Sequence, residues 1–317
     1  MSNTWTDRFD PRKYYGVKMC ELGAQRSDFY ILVADLAASF SLGDFIQCCT
    51  GRCLNVGIAE QNMVGIAAGL AMEGKIPWIN SIAPFATLRC AEQIRTDLCY
   101  NNLHAVIVSC LGGIAGAPMG ATHYATDDLG VLRTFSNITI LSPADQWEIG
   151  AALEAAMDWP GVVYIRLGGG TEPHLPMPPS RFIIGRALEL KKGKEVALLA
   201  TGYMVHKALD VADRLAQEGI SAGVYNHHTI KPIDEDSIRS AAEGARLVVT
   251  LEEHNIYGGL GSAVAEVLAD AGLGVPLLRM GIPDLYVGVG EREDLLAKYG
   301  LDAPTMARRI LERLKGK

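Results

Sequence analysis

The chain has 317 residues, 49% of them hydrophobic, and a formal net charge of −7. That length and apolar content suffice for two domains with sizeable cores, and an acidic balance with no basic stripe excludes nucleic acid and an anionic membrane surface as obvious partners. All seven cysteines (Cys20, Cys48, Cys49, Cys53, Cys90, Cys99 and Cys110) fall in the N-terminal part. An odd number of thiols without an export signal argues for reduced, core-packing cysteines rather than a disulfide framework.

In chain order, Met1 to Asp10 carry no charged-then-apolar signal pattern, and the longer apolar runs are broken by Gly, Asn or charge. A cytoplasmic protein with no membrane span is expected. Cys48, Cys49 and Cys53 have no companion cluster of Cys or His at zinc spacing, so no metal site is read there. The β-rich runs Phe29 to Val33, His104 to Cys110, Ile138 to Leu141 and Val162 to Ile165 alternate with segments of helical period such as Ala144 to Met157. This is the βα rhythm of a parallel sheet covered on both faces. Gly168-Gly169-Gly170 and the Pro-rich stretch to Ser180 then interrupt both periods. Residues 171–182 are read as a linker between a first domain, 1–170, and a second, smaller one, 183–317. The rhythm restarts with Val196 to Ala200 as strand, Met204 to Gln217 as helix, Leu247 to Leu251 as strand, and a helix from Gly258-Gly259-Leu260-Gly261 to Leu268. The fold class is therefore α/β, two consecutive domains with mainly parallel sheets. The Gly258 to Gly261 run matches neither a Walker loop nor the full dinucleotide fingerprint, and a tight turn with close helix packing is expected of it.

The stretch Asn55-Val56-Gly57-Ile58-Ala59-Glu60-Gln61-Asn62-Met63 carries the most chemistry. Glu60 is one carboxyl at the start of a helix whose Gly- and Ala-rich continuation to Met72 reads as packed on most sides. Helix-terminal amides favour its charge and burial opposes it, which suits a group that shares a proton at neutral pH. A plain N-terminal Glu bonded to its own backbone is the alternative on spacing alone.

Glu60, Gly120-Ala121-Thr122-His123 and Thr229-Ile230-Lys231-Pro232-Ile233-Asp234, taken together, give a chain that resembles the C-terminal half of transketolase from about Arg12 onward. The resemblance implies a pyrimidine-binding domain at 1–170 and a transketolase C-terminal domain at 183–317. The family's first domain holds the cofactor diphosphate and a divalent metal, with a Gly-Asp-Gly motif that does not occur here. The resemblance therefore implies one subunit of a split transketolase, with thiamine diphosphate as cofactor and Mg2+ or Ca2+ in a partner N-terminal subunit. A heterotetramer of two large and two small chains is expected. In the family, a Glu at the position of Glu60 bonds a ring nitrogen of the aminopyrimidine. Protonation there favours the imino tautomer, whose exocyclic nitrogen can take the proton from the thiazolium carbon.

By the same resemblance, Phe85 supports the pyrimidine, Asp35 lines the cofactor cleft at the end of the first strand, and His123 contacts the donor sugar and carries a proton. Arg12, Ser39 and Arg166 fall on positions that hold the sugar phosphate, for which guanidinium forks are suited. Met119 stands where the family has a substrate-binding Asp, and Leu111 where it has a His of the phosphate site, which puts the usual pentose-phosphate substrates in doubt. The expected activity is transfer of a two-carbon ketol unit from a phosphorylated ketose to an aldose. The beta subunit of a 2-oxo-acid dehydrogenase also carries a Glu at this position, and a non-catalytic scaffold subunit is the third reading. The Thr122-His123 pair and the three phosphate-ligand candidates favour the sugar enzyme over the dehydrogenase. Retention of Glu60 argues against a scaffold.

Overall fold

The computed structural model describes residues 8–176 and 181–316. Strands Phe29–Val33, Cys53–Asn55, Ile76–Ile82, Ala105–Cys110, Ile138–Leu141 and Val162–Arg166 are mutually parallel where they pair. They are short, β-branched and aromatic, and most are buried along their length, as a sheet covered on both faces requires. In space the order runs Ile138–Leu141, Val162–Arg166, Ala105–Cys110, Ile76–Ile82, Phe29–Val33, Cys53–Asn55. From Phe29–Val33 the chain therefore moves outward to Cys53–Asn55 and returns on the other side as Ile76–Ile82. This reversal opens a crevice at the strands' C-terminal ends, the usual ligand position in such sheets.

A seventh strand, Thr229–Lys231, joins this sheet antiparallel to Ile138–Leu141. It belongs to the second half of the chain, so the Thr229 to Asp234 motif straddles the seam. Lys231 donates to the carbonyls of Arg133 and Phe135 at 2.9 and 2.5 Å, and Asp234 caps the Glu235–Ala242 helix through Ser237 N at 3.1 Å.

The second sheet runs Leu277–Ile282, Leu247–Asn255, Val196–Ala200, Ala222–Asn226, Leu188–Lys191, with only the last antiparallel. Helix Met204–Gln217 covers it with Met204, Val205, Ala208, Val211, Ala212 and Leu215, a buried stripe at helical spacing.

On one face of the first sheet, helix Pro11–Gln25 and helix Gln146–Ala156 enclose Phe29, Ile31, Trp78 and Val106. Full burial of such side chains contributes about 1.5–3 kcal/mol each. On the other face a continuous apolar core runs from Leu32, Met63 and Ile107 to Val248, Leu260 and Val264 of the second half. The two halves thus share a core.

The described part of the expected linker is more ordered than its composition implied. Glu172–Pro173 pairs antiparallel with Arg8–Phe9, Leu175 is buried, and Phe182 stacks on His228 with ring centroids 4.2 Å apart. Residues 177–180 of that stretch lie outside the described residues.

A second departure concerns the Glu60–Met72 helix. It buries Glu60, Met63, Val64, Ala67 and Ala68, but Met72 is 64% exposed and a Cβ placed on Gly65 or Gly69 would meet nothing within 4 Å. The expected packing on most sides is absent within the chain: one face is covered and the other is open. The Gly258 to Gly261 run is the tight turn expected. It opens helix Leu260–Asp270, and the Glu252 carboxyl accepts from Leu260 N and Gly261 N at 2.7 and 2.8 Å. A side chain on Gly259 would collide with that carboxyl, so the group held at this helix start is the protein's own.

Candidate active site

The C-terminal ends of adjacent strands deliver the candidate residues one after another. Asn55 ends the outermost strand. Its Oδ1 accepts from Asp35 N and Gly57 N, both at 3.0 Å, tying the exit of the Phe29–Val33 strand to the loop that leads to Glu60. Asp35 is exposed and has φ 61°, a left-handed conformation that Asp, with Asn, adopts more readily than most residues other than Gly. Leu111, at the exit of Ala105–Cys110, has φ 62° and is still rarer in that region for a bulky side chain.

Glu60 begins its helix with only 3% of its side chain exposed. Oε2 accepts from Arg89 Nη1 at 2.7 Å, which gives the buried carboxylate a counter-charge. Among the described residues the chain offers Oε1 no hydrogen-bond donor. The Arg89 guanidinium lies 4.1 Å from the Phe85 ring centroid. The Phe85 ring meets His123 edge to face, with centroids 5.3 Å apart. Glu60, Arg89, Phe85 and His123 thus form one contiguous line. Thr122 Oγ1 holds His123 Nδ1 at 2.8 Å, leaving Nε2 to face other groups.

The sequence pattern does not single out Arg89. The signal available is its position four residues beyond Phe85, in the turn after the short helix Ala83–Ala86.

The phosphate-ligand candidates are not gathered in the same way. Arg12 makes a two-point pair with Asp10, Nε to Oδ1 at 3.2 Å and Nη2 to Oδ2 at 3.0 Å. Ser39 is half-buried on the turn Ala38–Phe40, against which the Arg12-bearing helix packs through Tyr15 and Phe40.

Arg166 lies in the seam between the halves, 6% exposed. It donates from Nε and Nη2 to Asp128 at 2.8 and 3.1 Å, and from Nη2 to the carbonyls of Ala125 and Glu253, both at 3.0 Å. Burial by itself would raise the Asp128 pKa, but the Arg166 charge, aided by His254 and hydrogen bonds from Arg166 and Tyr164, holds it below the usual carboxylate range. Beside this pair, Arg292 bridges Glu172 at 2.8 Å and Glu253, and Glu253 Oε1 accepts from Ile114 N at 2.8 Å. The crevice between Arg166, Glu172, Glu253 and Arg292 has about 10 Å³ of free volume. That is scarcely one water.

The pieces match a known pattern over nearly the whole chain: residues 7–170 fit the transketolase pyrimidine-binding domain and residues 185–306 the transketolase C-terminal domain. The chain belongs to the transketolase family. It is a subunit of a ketol-transferring enzyme of that family, whose cofactor is thiamine diphosphate. An apulose-4-phosphate transketolase subunit of Actinobacillus succinogenes is 38% identical over 88% of this transketolase chain and 90% of the relative. The 6-deoxy-6-sulfo-D-fructose transketolase subunit SqwH of a Clostridium species is 39% identical over 90% and 88%. Among solved structures, a split-gene transketolase described as an inactive beta4 tetramer superimposes with a TM-score of 0.87 at 38% identity, covering 98% of this chain and 99% of that one.

The donor set suits an aminopyrimidine. Transketolase chemistry needs a buried carboxyl with an oxygen left for a ring nitrogen, and Glu60, with Oε2 on Arg89 and Arg89 in turn against the Phe85 ring, is a group of that kind.

Proposed function

We propose that this subunit transfers a two-carbon ketol unit from a phosphorylated ketose to an aldose, with the cofactor clamped between it and a second chain that carries the diphosphate and its Mg2+ or Ca2+. The observation that carries the reading is the buried Glu60 carboxylate, paired on one oxygen and open on the other, in line with Phe85 and His123. Thiamine diphosphate, when bound, supplies the nucleophilic carbon and the electron sink for the transferred unit. Within this chain, Glu60 bonds and protonates the pyrimidine ring nitrogen, Phe85 fixes the ring's plane, and Asp35 borders the cofactor at the crevice. Arg89 keeps Glu60 oriented. His123, its Nδ1 held by Thr122, presents Nε2 to the donor sugar and moves a proton or steadies the developing alkoxide.

Arg12 and Ser39 face the substrate phosphate in this proposal. Arg166 already has Nε and Nη2 committed to Asp128 and two carbonyls, so it adds at most Nη1. Its larger contribution is to hold Ala125, and with it the turn that carries His123. Met119, 50% exposed and four residues before His123, offers no acceptor for a sugar hydroxyl, which favours substrates outside the usual pentose phosphates. The relatives named for apulose 4-phosphate and a sulfosugar point the same way.

The open face at Gly65 and Gly69, and exposed Ile58 and Tyr286, are where other chains of a two-large, two-small heterotetramer would pack. The inactive tetramer of the beta chain of a split transketolase supports a need for the second subunit. No helix among the described residues is long and apolar enough to cross a membrane, and the assembly is proposed to work in the cytoplasm. The domain division at 171–182 is kept as part of this proposal.

The deciding experiment measures ketol transfer with and without a co-expressed diphosphate-binding subunit, given thiamine diphosphate, Mg2+ and a panel of phosphorylated and free ketoses. Activity that needs both chains supports the proposal. A stable, cofactor-loaded complex that transfers nothing overturns it in favour of a dehydrogenase or scaffold subunit.

A further inference from the structure

The transferase chemistry makes no use of the thiols, and one of them breaks the pattern of core packing. Cys90, Cys99 and Cys110 are buried in the first domain, but Cys48 is exposed on the last turn of helix Gly43–Cys48. Its Sγ lies 3.4 Å from Sγ of Cys49, which is 4% exposed and caps the same helix. At that distance the two sulfurs are in contact, one reached by solvent and the other shielded. Cys49 has already left helical geometry, at φ −120° and ψ 53°; a link between adjacent residues strains the peptide between them, because their Cα atoms lie about 3.8 Å apart, below the usual disulfide range, and such a bond is readily reduced.

We propose that Cys48 and Cys49 form a reversible dithiol oxidation site for hydrogen peroxide, with Cys48 as the thiol attacked from solvent and Cys49 as the thiol that resolves it. The Cys48 thiolate attacks the peroxide: the O–O bond breaks, Cys48 becomes a sulfenic acid, and water leaves with the thiol proton. Cys49 Sγ then attacks the Cys48 sulfur, forming the S–S bond while the S–O bond breaks and a second water leaves. Together two thiols lose two electrons to the peroxide, and a dithiol reductant reverses the step. Burial and the neighbouring Cys48 thiol raise the Cys49 pKa, against the opposing charge of Arg52. Cys20, on the packed helix Pro11–Gln25, is pushed up to about 12 by burial and by Cys48. Cys49 is buried and Cys20 half-buried, so Cys48, the exposed one of the three, is the point of attack. The site lies just upstream of the strand Cys53–Asn55 that leads to Glu60.

The test exposes the folded chain to hydrogen peroxide, blocks remaining thiols, and maps the peptides by mass spectrometry without reduction. The expected product is an intramolecular Cys48–Cys49 disulfide that dithiothreitol removes, formed at least about tenfold faster than any modification of Cys90 or Cys99. In Cys49→Ser, Cys48 is expected to halt as a sulfenic acid trapped by dimedone, and Cys48→Ser to lose the fast phase altogether. Modification of Cys48 no faster than of the buried thiols overturns the proposal. A Cys20–Cys48 cross-link in place of Cys48–Cys49 overturns the assignment of Cys49.

Discussion

Two polar clusters in this molecule use the same kinds of side chain to opposite ends. In the seam, Arg166 pairs with Asp128 and two carbonyls, and Arg292 bridges Glu172 and Glu253. These charges are matched within the chain and enclosed. At the sheet's C-terminal edge, Glu60 is just as buried, yet one of its oxygens is left open and the line through Arg89, Phe85 and His123 ends at solvent. A closed network holds two domains in one geometry, whereas an open one keeps bonding capacity for a ligand that the chain does not itself supply.

Arg166→Ala puts this contrast under the greatest load. It leaves Asp128, fully buried, without its cation, and should cost about 3–5 kcal/mol of stability, read as a shift in urea midpoint. A stable variant with only a raised KM for phosphorylated ketoses would return Arg166 to the phosphate grip. Glu60→Gln should do the reverse, leaving the melting temperature nearly unchanged while lowering kcat with the partner subunit by about a hundredfold or more, roughly 2.7 kcal/mol of barrier. Survival of activity within about tenfold would remove Glu60 from its role.

Gly65→Leu tests the open helix face. The isolated chain has room for the side chain, so the fold should persist, while overpacking against another chain should weaken assembly by about 1–3 kcal/mol, visible as a lower mass in light scattering. An unchanged assembly would place the contact elsewhere. For Arg89→Ala we expect about a tenfold loss in kcat, roughly 1.4 kcal/mol, with a stability loss smaller than that of Arg166→Ala, because Arg89 is itself 42% exposed while Arg166 is enclosed. A stability loss as large as that of Arg166→Ala would show that Arg89 belongs with the closed seam instead.

The smallest effect is a pH dependence. Burial, with a lesser push from Asp145, raises Glu148 from 4.5 to about 8, and burial raises Glu252 to about 7. A carboxyl whose folded pKa is raised contributes stability that is fully present below its unfolded value and is lost as pH rises through the folded value. The contribution of these two carboxyls should therefore decline between about pH 5 and 8. Burial lowers His206, His227, His228 and His254 to about 4, which adds an opposite rise up to about pH 6.5. The net decline should show between about pH 6.5 and 8, and Glu148→Gln, which keeps the shape and stays neutral, should flatten it. Denaturant midpoints across this range check it, and an equal slope in both proteins would count against a protonated Glu148.

Much of the fold is legible in the chain because apolar periodicity is a local signal. Strand Val196–Ala200 and helix Met204–Gln217 fall where the pattern places them. The Glu60–Met72 helix shows the limit: Gly and Ala permit close packing, but the sequence does not say whether the neighbour is this chain or another. Thr229–Lys231 shows it again, since three residues carry no mark of which sheet they will join. Arg89 has no local signature because its importance lies in reaching Glu60 across 29 positions of sequence.

Residue type and spacing along the chain are enough to give the α/β class and the resemblance to the family, and to single out Glu60 as the carboxyl of the proposed mechanism. Folding in three dimensions was needed to show that Arg166 is closed in by Asp128 while Glu60 keeps an oxygen open, and that the thiols of Cys48 and Cys49 meet at the surface. Charge pairing and exposure depend on which distant segments meet in space, and that is settled only when the sheets pack.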